Sequence, residues 1–154
     1  MRGVYHASYA ISGLAAAKTV MYITSASGKV VEILSASLSN ESNETNEQLE
    51  CKFHRVATLG TPTATTVTAA PTEPGDQAAG STVKGNVTAL EPTYEAEHVK
   101  EFGKKGFSSL AGWYFDPLPE ERPVIESAGT IGLRMMSTPT AFDALLNIVF
   151  REIG

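Results

Sequence analysis

From Glu47 to Val56 apolar and polar residues alternate: Leu49, Cys51 and Phe53 fall on one side, and Gln48, Glu50, Lys52 and His54 on the other. A period of two marks a strand with one face in a core and one in water. A helix would bring Leu49 and Phe53 together and swing Cys51 away from them. The stretch therefore predicts a half-buried antiparallel strand, and a sheet protein around it.

The same pattern recurs along the chain. Val4 to Ile11 reads as a first strand or an N-terminal arm, broken at Ser12-Gly13. Lys18 to Ser25, rich in branched and aromatic residues, reads as a strand, and the three alanines before it as a weak helical signal. Lys29 to Ser39 follows, with Val31 and Ile33 on one face and Val30, Glu32 and Leu34 on the other, so the Ser27-Gly28 turn predicts a hairpin. Asn40 to Asn46 is polar throughout and reads as a loop. From Thr58 to Thr82 the chain is thick in Thr, Ala, Pro and Gly, with a turn at Glu73-Pro74-Gly75-Asp76. That is too long for an idle connection, and it predicts a segment that packs over the sheet or reaches a partner.

Ser81 to Leu90 predicts a strand with Val83 and Val87 on one face. In Tyr94 to Ser109 the spacings Glu97–Lys100 and Glu101–Lys105 suit a helix, while Gly103 and Gly106 suit an extended loop. Leu110 to Phe115 reads as a short strand, and Pro117, Pro119 and Pro123 frame a loop. Ile131, Leu133 and Met135 alternate with Gly132, Arg134 and Met136. In the last segment Leu146, Ile148 and Phe150 alternate with Asn147, Val149 and Arg151, which favours a strand over the helix suggested by its Ala and Leu content. Eight or so strands separated by Gly and Pro turns predict an all-β fold, a jelly-roll-like antiparallel sandwich with long loops and little helix, in a single domain over residues 1–154.

Composition narrows function more by what it excludes. The 154 residues are 42% hydrophobic and 19% charged, enough to bury one core. A net charge of −5 argues against a nucleic-acid partner, which calls for a basic face; Lys100, Lys104 and Lys105 read as a solvated loop. No apolar run is long enough to span a bilayer, and Met1 to His6 lacks the apolar core of a signal peptide. The glycosylation-type triplets at Asn40, Asn43 and Asn86 are accordingly read as loop and strand residues. The single cysteine, Cys51, has no partner for an intrachain disulfide and reads as a small buried hydrophobe.

The chemistry is sparse. His6, His54 and His98 have no metal-ligand spacing, and His54 reads as a surface residue. There is no nucleophile elbow and no phosphate loop; Gly103-Lys104-Lys105-Gly106 reads as a basic turn. Glu120-Glu121, Glu95/Glu97 and Glu41/Glu44 read as solvated acids, and Glu73 with Asp76 falls short of a calcium set. These readings predict a non-enzyme without metal or cofactor. Trp113-Tyr114-Phe115 supports two readings, core filling or an exposed stacking platform, and alternation sends Tyr114 away from its neighbours.

Ile23 to Ile33, Ser39 to Ser42 leading into Gln48-Leu49-Glu50, Glu73 to Asp76, and the strand Ile131 to Met135 together resemble the small sandwich proteins of tailed-bacteriophage virions. Such proteins are decoration, or cement, proteins of the capsid. The resemblance implies a jelly roll made in the host cytoplasm and placed on the capsid surface, a homotrimer whose partner is the major capsid protein, with no nucleic acid and no membrane. Residues 1–11 and 58–80 are the segments expected to make those contacts, with Tyr5, Tyr9, Pro71, Pro74, Trp113 and Tyr114 as contact residues. Another head–tail or tail component is also compatible. The rival reading is a carbohydrate-binding sandwich with Trp113 and Tyr114 stacking on a glycan.

Overall fold

A computed structural model of the chain describes residues 3–42 and 45–154. In chain order the strands are β1 (Val4–Leu14), β2 (Lys18–Thr24), β3 (Val30–Asn40), β4 (Gln48–Thr58), β5 (Thr63–Val67), β6 (Ala70–Pro71), β7 (Thr82–Ala89), β8 (Thr93–Tyr94), β9 (Glu101–Ser108), β10 (Trp113–Phe115), β11 (Val124–Ile125), β12 (Thr130–Met135) and β13 (Phe142–Ile153). Among the described residues the one helical element is the 3-10 turn Pro119–Glu121.

Two antiparallel sheets face each other. One runs β10-β3-β13-β1-β6, with β11 also on β3; the other runs β5-β7-β2-β12-β4-β8, with β9 also on β4. The winding is legible in the pairs. β1 pairs β13, β2 pairs β12, β3 pairs β10 and β4 pairs β9, all antiparallel. First meets last and second meets next-to-last, as in one long hairpin rolled over on itself. β1, β2, β3 and β4 therefore alternate between the sheets, which is the jelly-roll arrangement.

The inward faces are the apolar stripes of the sequence. β13 contributes Leu146, Ile148 and Phe150, β4 contributes Leu49, Cys51 and Phe53, and β12 contributes Ile131, Leu133 and Met135, all buried in one core. At about 25 cal/mol per Å² of apolar surface, these facing stripes are the main favourable contribution to the fold. Trp113 is fully buried, edge-on to Phe53 with ring centroids 5.8 Å apart.

Several expectations are corrected. The Ser27-Gly28 turn makes no hairpin: β2 pairs β12 and β7, while β3 pairs β13, β10 and β11, so the turn carries the chain from one sheet to the other. A hairpin would put the stripes Met21/Ile23 and Val31/Ile33 on one face of one sheet; the sandwich buries them from opposite sides. Ser12-Gly13 does not end the first strand, which continues to Leu14 through a register shift. Val4 to Ile11 is no arm, because it is hydrogen-bonded along β13; Met1 and Arg2 lie outside the described residues. Asn43 and Glu44, the first two residues of the triplet that begins at Asn43, also lie outside them.

Tyr94 to Ser109 is not a helix, and between its strands only residues 95–100 are loop. It enters through β8, turns at residues 97–100 and leaves as β9, so Gly103 to Gly106 lies within a strand. Residues 91–100 form a strap across the outer face of β4 and β12. That strap overturns a further expectation: Lys52 and His54, assigned to the watery face of the first strand, are both 0% exposed.

Candidate functional site

Under the strap lies a close-packed group of polar side chains. Alternation along β4 turns Lys52 and His54 away from the core, and the register of β12 sets Arg134 opposite Lys52 and Gly132 opposite His54. Gly132 has no side chain, so Tyr94 lies over it and stacks on the His54 ring at a centroid distance of 5.2 Å. The Arg134 guanidinium sits 4.1 Å from the centre of the Tyr94 ring, a cation–π contact. At the other end of the strap Glu91 accepts from the Thr19 backbone N–H at 3.0 Å and from its hydroxyl, and Thr19 Oγ1 lies 2.6 Å from Tyr94 Oη.

Lys52 is the centre of charge. Its ammonium donates to Glu97 Oε2 at 2.7 Å and to Glu101 Oε1. Arg134 lies 3.7 Å from Glu97 Oε1, and Lys104 lies 3.7 Å from Glu101 Oε2. Burial opposes the charge on Lys52, but the hydrogen bonds to Glu101 and Glu97 raise its pKa above the usual value. Burial likewise opposes ionisation of Glu101, yet the Lys52 hydrogen bond holds its carboxyl well below the usual range. His54 is pushed down by burial and by the Lys52 and Arg134 cations, against the pull of Glu101 and Glu97. Arg134 Nη1 lies 3.1 Å from His54 Nδ1 and acts as donor there, which assigns the imidazole proton to Nε2; that buried atom has no partner among the described residues.

His54, Glu97 and Glu101 place three ligand-type atoms within 4.8 Å of one another. The trio does not suit a divalent ion as it stands, because the Lys52 ammonium already sits between the two carboxylates. A metal would have to expel a buried, doubly bonded cation. The arrangement is an ionic lock that holds the strap on the sheet.

The residues singled out in the sequence scatter. Tyr5 is largely buried, its hydroxyl donating to the Gln77 carbonyl at 3.1 Å. Trp113 is also withdrawn from the surface, as its indole N–H donates to the Gly103 carbonyl at 3.1 Å inside the core. Tyr9 is half-buried over Gly85, where a Cβ would come within 2.6 Å of its ring. Pro71 is half-buried and pairs with Tyr5 through β6, and Pro74 is exposed in the turn beyond it. Tyr114 is 57% exposed. The two segments expected to make contacts, 1–11 and 58–80, thus meet along one sheet edge. There Gly3, Tyr5, Glu73, Pro74, Asp76 and Gln77 line a hollow of about 400 Å³.

The remaining candidates are spent internally. Asp76 accepts from the Gly3 N–H at 3.1 Å. Lys100 pairs with Glu95 at 3.3 Å, and Lys104 with Glu101, so the basic stretch is largely neutralised. Burial pushes the Cys51 thiol up, consistent with a core filler. Exposed His98 borders the His54 group, its ring Nδ1 3.9 Å from Glu101 Oε2 and its backbone N–H donating to that carboxylate, whereas His6, on β1, lies 3.2 Å from Ser8 Oγ.

No family model matches the chain, and no curated protein or solved structure matches it at a significant level.

Proposed function

We propose that this chain is a structural protein of a tailed-phage virion that binds the outside of the capsid and cements or decorates the shell as a homotrimer. The observation that carries the reading is the placement of residues 58–82. They leave the sandwich after β4, add β5 to one sheet and β6 to the other, and present the Pro74 turn beside β1. A rigid jelly roll with a long ordered excursion at one edge suits a protein that works by contact, and viral shells use this architecture repeatedly. The ionic lock supports the same view, since its titratable groups are committed to holding the strap. A trimer suits a three-fold position of a symmetric shell.

Light scattering with sedimentation tests the oligomer, and co-sedimentation with shells of the major capsid protein tests attachment. The expected result is a mass three times the 16.3 kDa chain and saturable shell binding that Pro74→Glu weakens. A monomer that stays in the supernatant overturns the proposal. Deleting residues 1–11 is no test, because it removes a strand paired to β13.

A further inference from the structure

We infer that the outer face of the six-stranded sheet is a binding site for a short neutral oligosaccharide, laid across the strands with one sugar ring on Tyr114. The strand register brings the site together. Tyr114 on β10 lies opposite Ser37 on β3, Ser37 lies opposite Asn147 on β13, and Asn147 lies opposite Ser8 on β1. Residues directly opposite in antiparallel strands share a face. The four side chains therefore form one row perpendicular to the strands, while their sequence neighbours Trp113, Ala36, Ile148 and Ala7 are buried. With strands about 4.8 Å apart, the row is roughly 14 Å long.

Tyr114 stands between two depressions. One, of about 300 Å³, is walled by Ser35, Ser37, Asn147 and Val149; the other, of about 500 Å³, by Lys104, Lys105, Asp116 and Glu121. Both volumes lie in the range of small-molecule sites, about 300–1,000 Å³. The Tyr114 backbone is paired to Ser37, and Trp113 beside it is anchored in the core. The backbone that carries the ring is thus already ordered, and only the two side-chain torsions of Tyr114 are left to order on binding.

The chemistry of the row selects the ligand. A phenol ring offers an apolar face with a polar tip. A pyranose offers the complement, a face of C–H groups bordered by hydroxyls. Serine hydroxyls and an amide both donate and accept, which matches paired sugar hydroxyls. Ser8 Oγ donates to Asn147 Oδ1 at 2.6 Å, leaving the Asn147 amide N–H groups without a protein partner among the described residues. An apolar peptide finds no aliphatic member in the row. A polyanion is disfavoured by Asp116 and Glu121 in the second depression and by the net charge of −5. Nothing here depends on attachment to a shell, so a failure of either reading is visible separately.

Titration calorimetry of the full chain against soluble gluco-, xylo-, galacto- and N-acetylglucosamine oligosaccharides tests the site. The expected result is saturable binding of at least one of them, weakened about tenfold or more by Tyr114→Ala, as for loss of a central aromatic anchor. Tyr114→Phe keeps the ring and retains binding. Asn147→Ala weakens it, and Leu118→Ala, 65% exposed but off the row, leaves it unchanged. An unchanged melting temperature confirms that the variants fold. No binding of any oligosaccharide by the wild-type chain overturns the inference, as does binding that survives both Tyr114→Ala and Asn147→Ala.

Discussion

Tyr94 occupies the space that a side chain on Gly132 would need: a Cβ at 132 would come within 3.0 Å of ring atoms Cε1 and Cζ. The strap lies flat on β12 because position 132 is bare. Gly132→Val should therefore destabilise the protein by about 1–3 kcal/mol, the usual cost of overpacking. Tyr94→Ala should destabilise it as well, by emptying the same space. Combined, the two should cost less than their sum by about 0.5 kcal/mol or more, because each relieves the other. Urea unfolding of the four proteins measures this, and strict additivity would show that Tyr94 does not pack on Gly132.

Lys52 is a fully buried cation held by two carboxylates. Lys52→Ala strands two carboxylates, one of them almost buried, and should cost about 3–5 kcal/mol. Glu97→Gln should cost about 1 kcal/mol or less, since that carboxylate is 57% exposed. An apolar replacement of the buried pair, Lys52→Met with Glu101→Leu, should recover most of the loss. Denaturant midpoints measure all three, and a Lys52→Ala variant as stable as wild type would mean that the lock contributes nothing.

Acid should loosen the strap. His54 and Glu101 both have pKa values depressed in the folded state, so the unfolded chain takes up protons more readily at both sites. The His54 contribution is complete above its unfolded pKa of about 6.5 and fades below it. The Glu101 contribution is complete above about 4.3 and is lost as the pH falls toward the folded value. Stability should be flat near pH 7–8 and decline from about pH 6.5 downward in two overlapping stages. His54→Gln should remove the upper stage and keep the lower. A denaturation midpoint that rises on acidification between pH 6.5 and 5 would contradict this assignment.

Trp113 and Tyr114 are adjacent in sequence and opposite in consequence. Trp113→Ala should cost about 3–5 kcal/mol, since it empties a fully buried site against Phe53 and Phe115. Tyr114→Ala should change stability by no more than about 0.5 kcal/mol, as for an ordinary surface substitution. Melting curves separate the two. A large loss at Tyr114 would mean that its ring has a structural partner.

The alternation of Leu49, Cys51 and Phe53 was enough to assign an inward face, as was that of Leu146, Ile148 and Phe150, because burial of one face imprints a period of two. What that period does not carry is what covers the other face. Lys52 and His54 look like solvent residues in sequence. They are buried by a strap some forty residues away whose Glu91, Glu97 and Tyr94 sit in a stretch broken by Pro92 and Gly103. The signal was present only as a surplus of acids at 91, 95, 97 and 101, of which Glu97 and Glu101 meet the cations at 52 and 134. The Gly28 turn fails as a hairpin for a related reason. A local turn signal fixes where the chain reverses, not whether the reversed strand joins the same sheet. Likewise the row from Tyr114 to Ser8 exists only through the register of four strands.

The pairing of β1 with β13 has a consequence in time. Val4 meets Arg151 and Tyr5 meets Phe150, so the first strand made must wait for the last. During synthesis β1, β2 and β3 emerge without their main partners, and the sheets can close only when β12 and β13 are released. Nonlocal winding of this kind places folding in the slow regime, milliseconds to seconds. The interval when the Tyr5-to-Ile11 edge lacks its partner is the interval most open to aggregation, and chaperone demand should concentrate there.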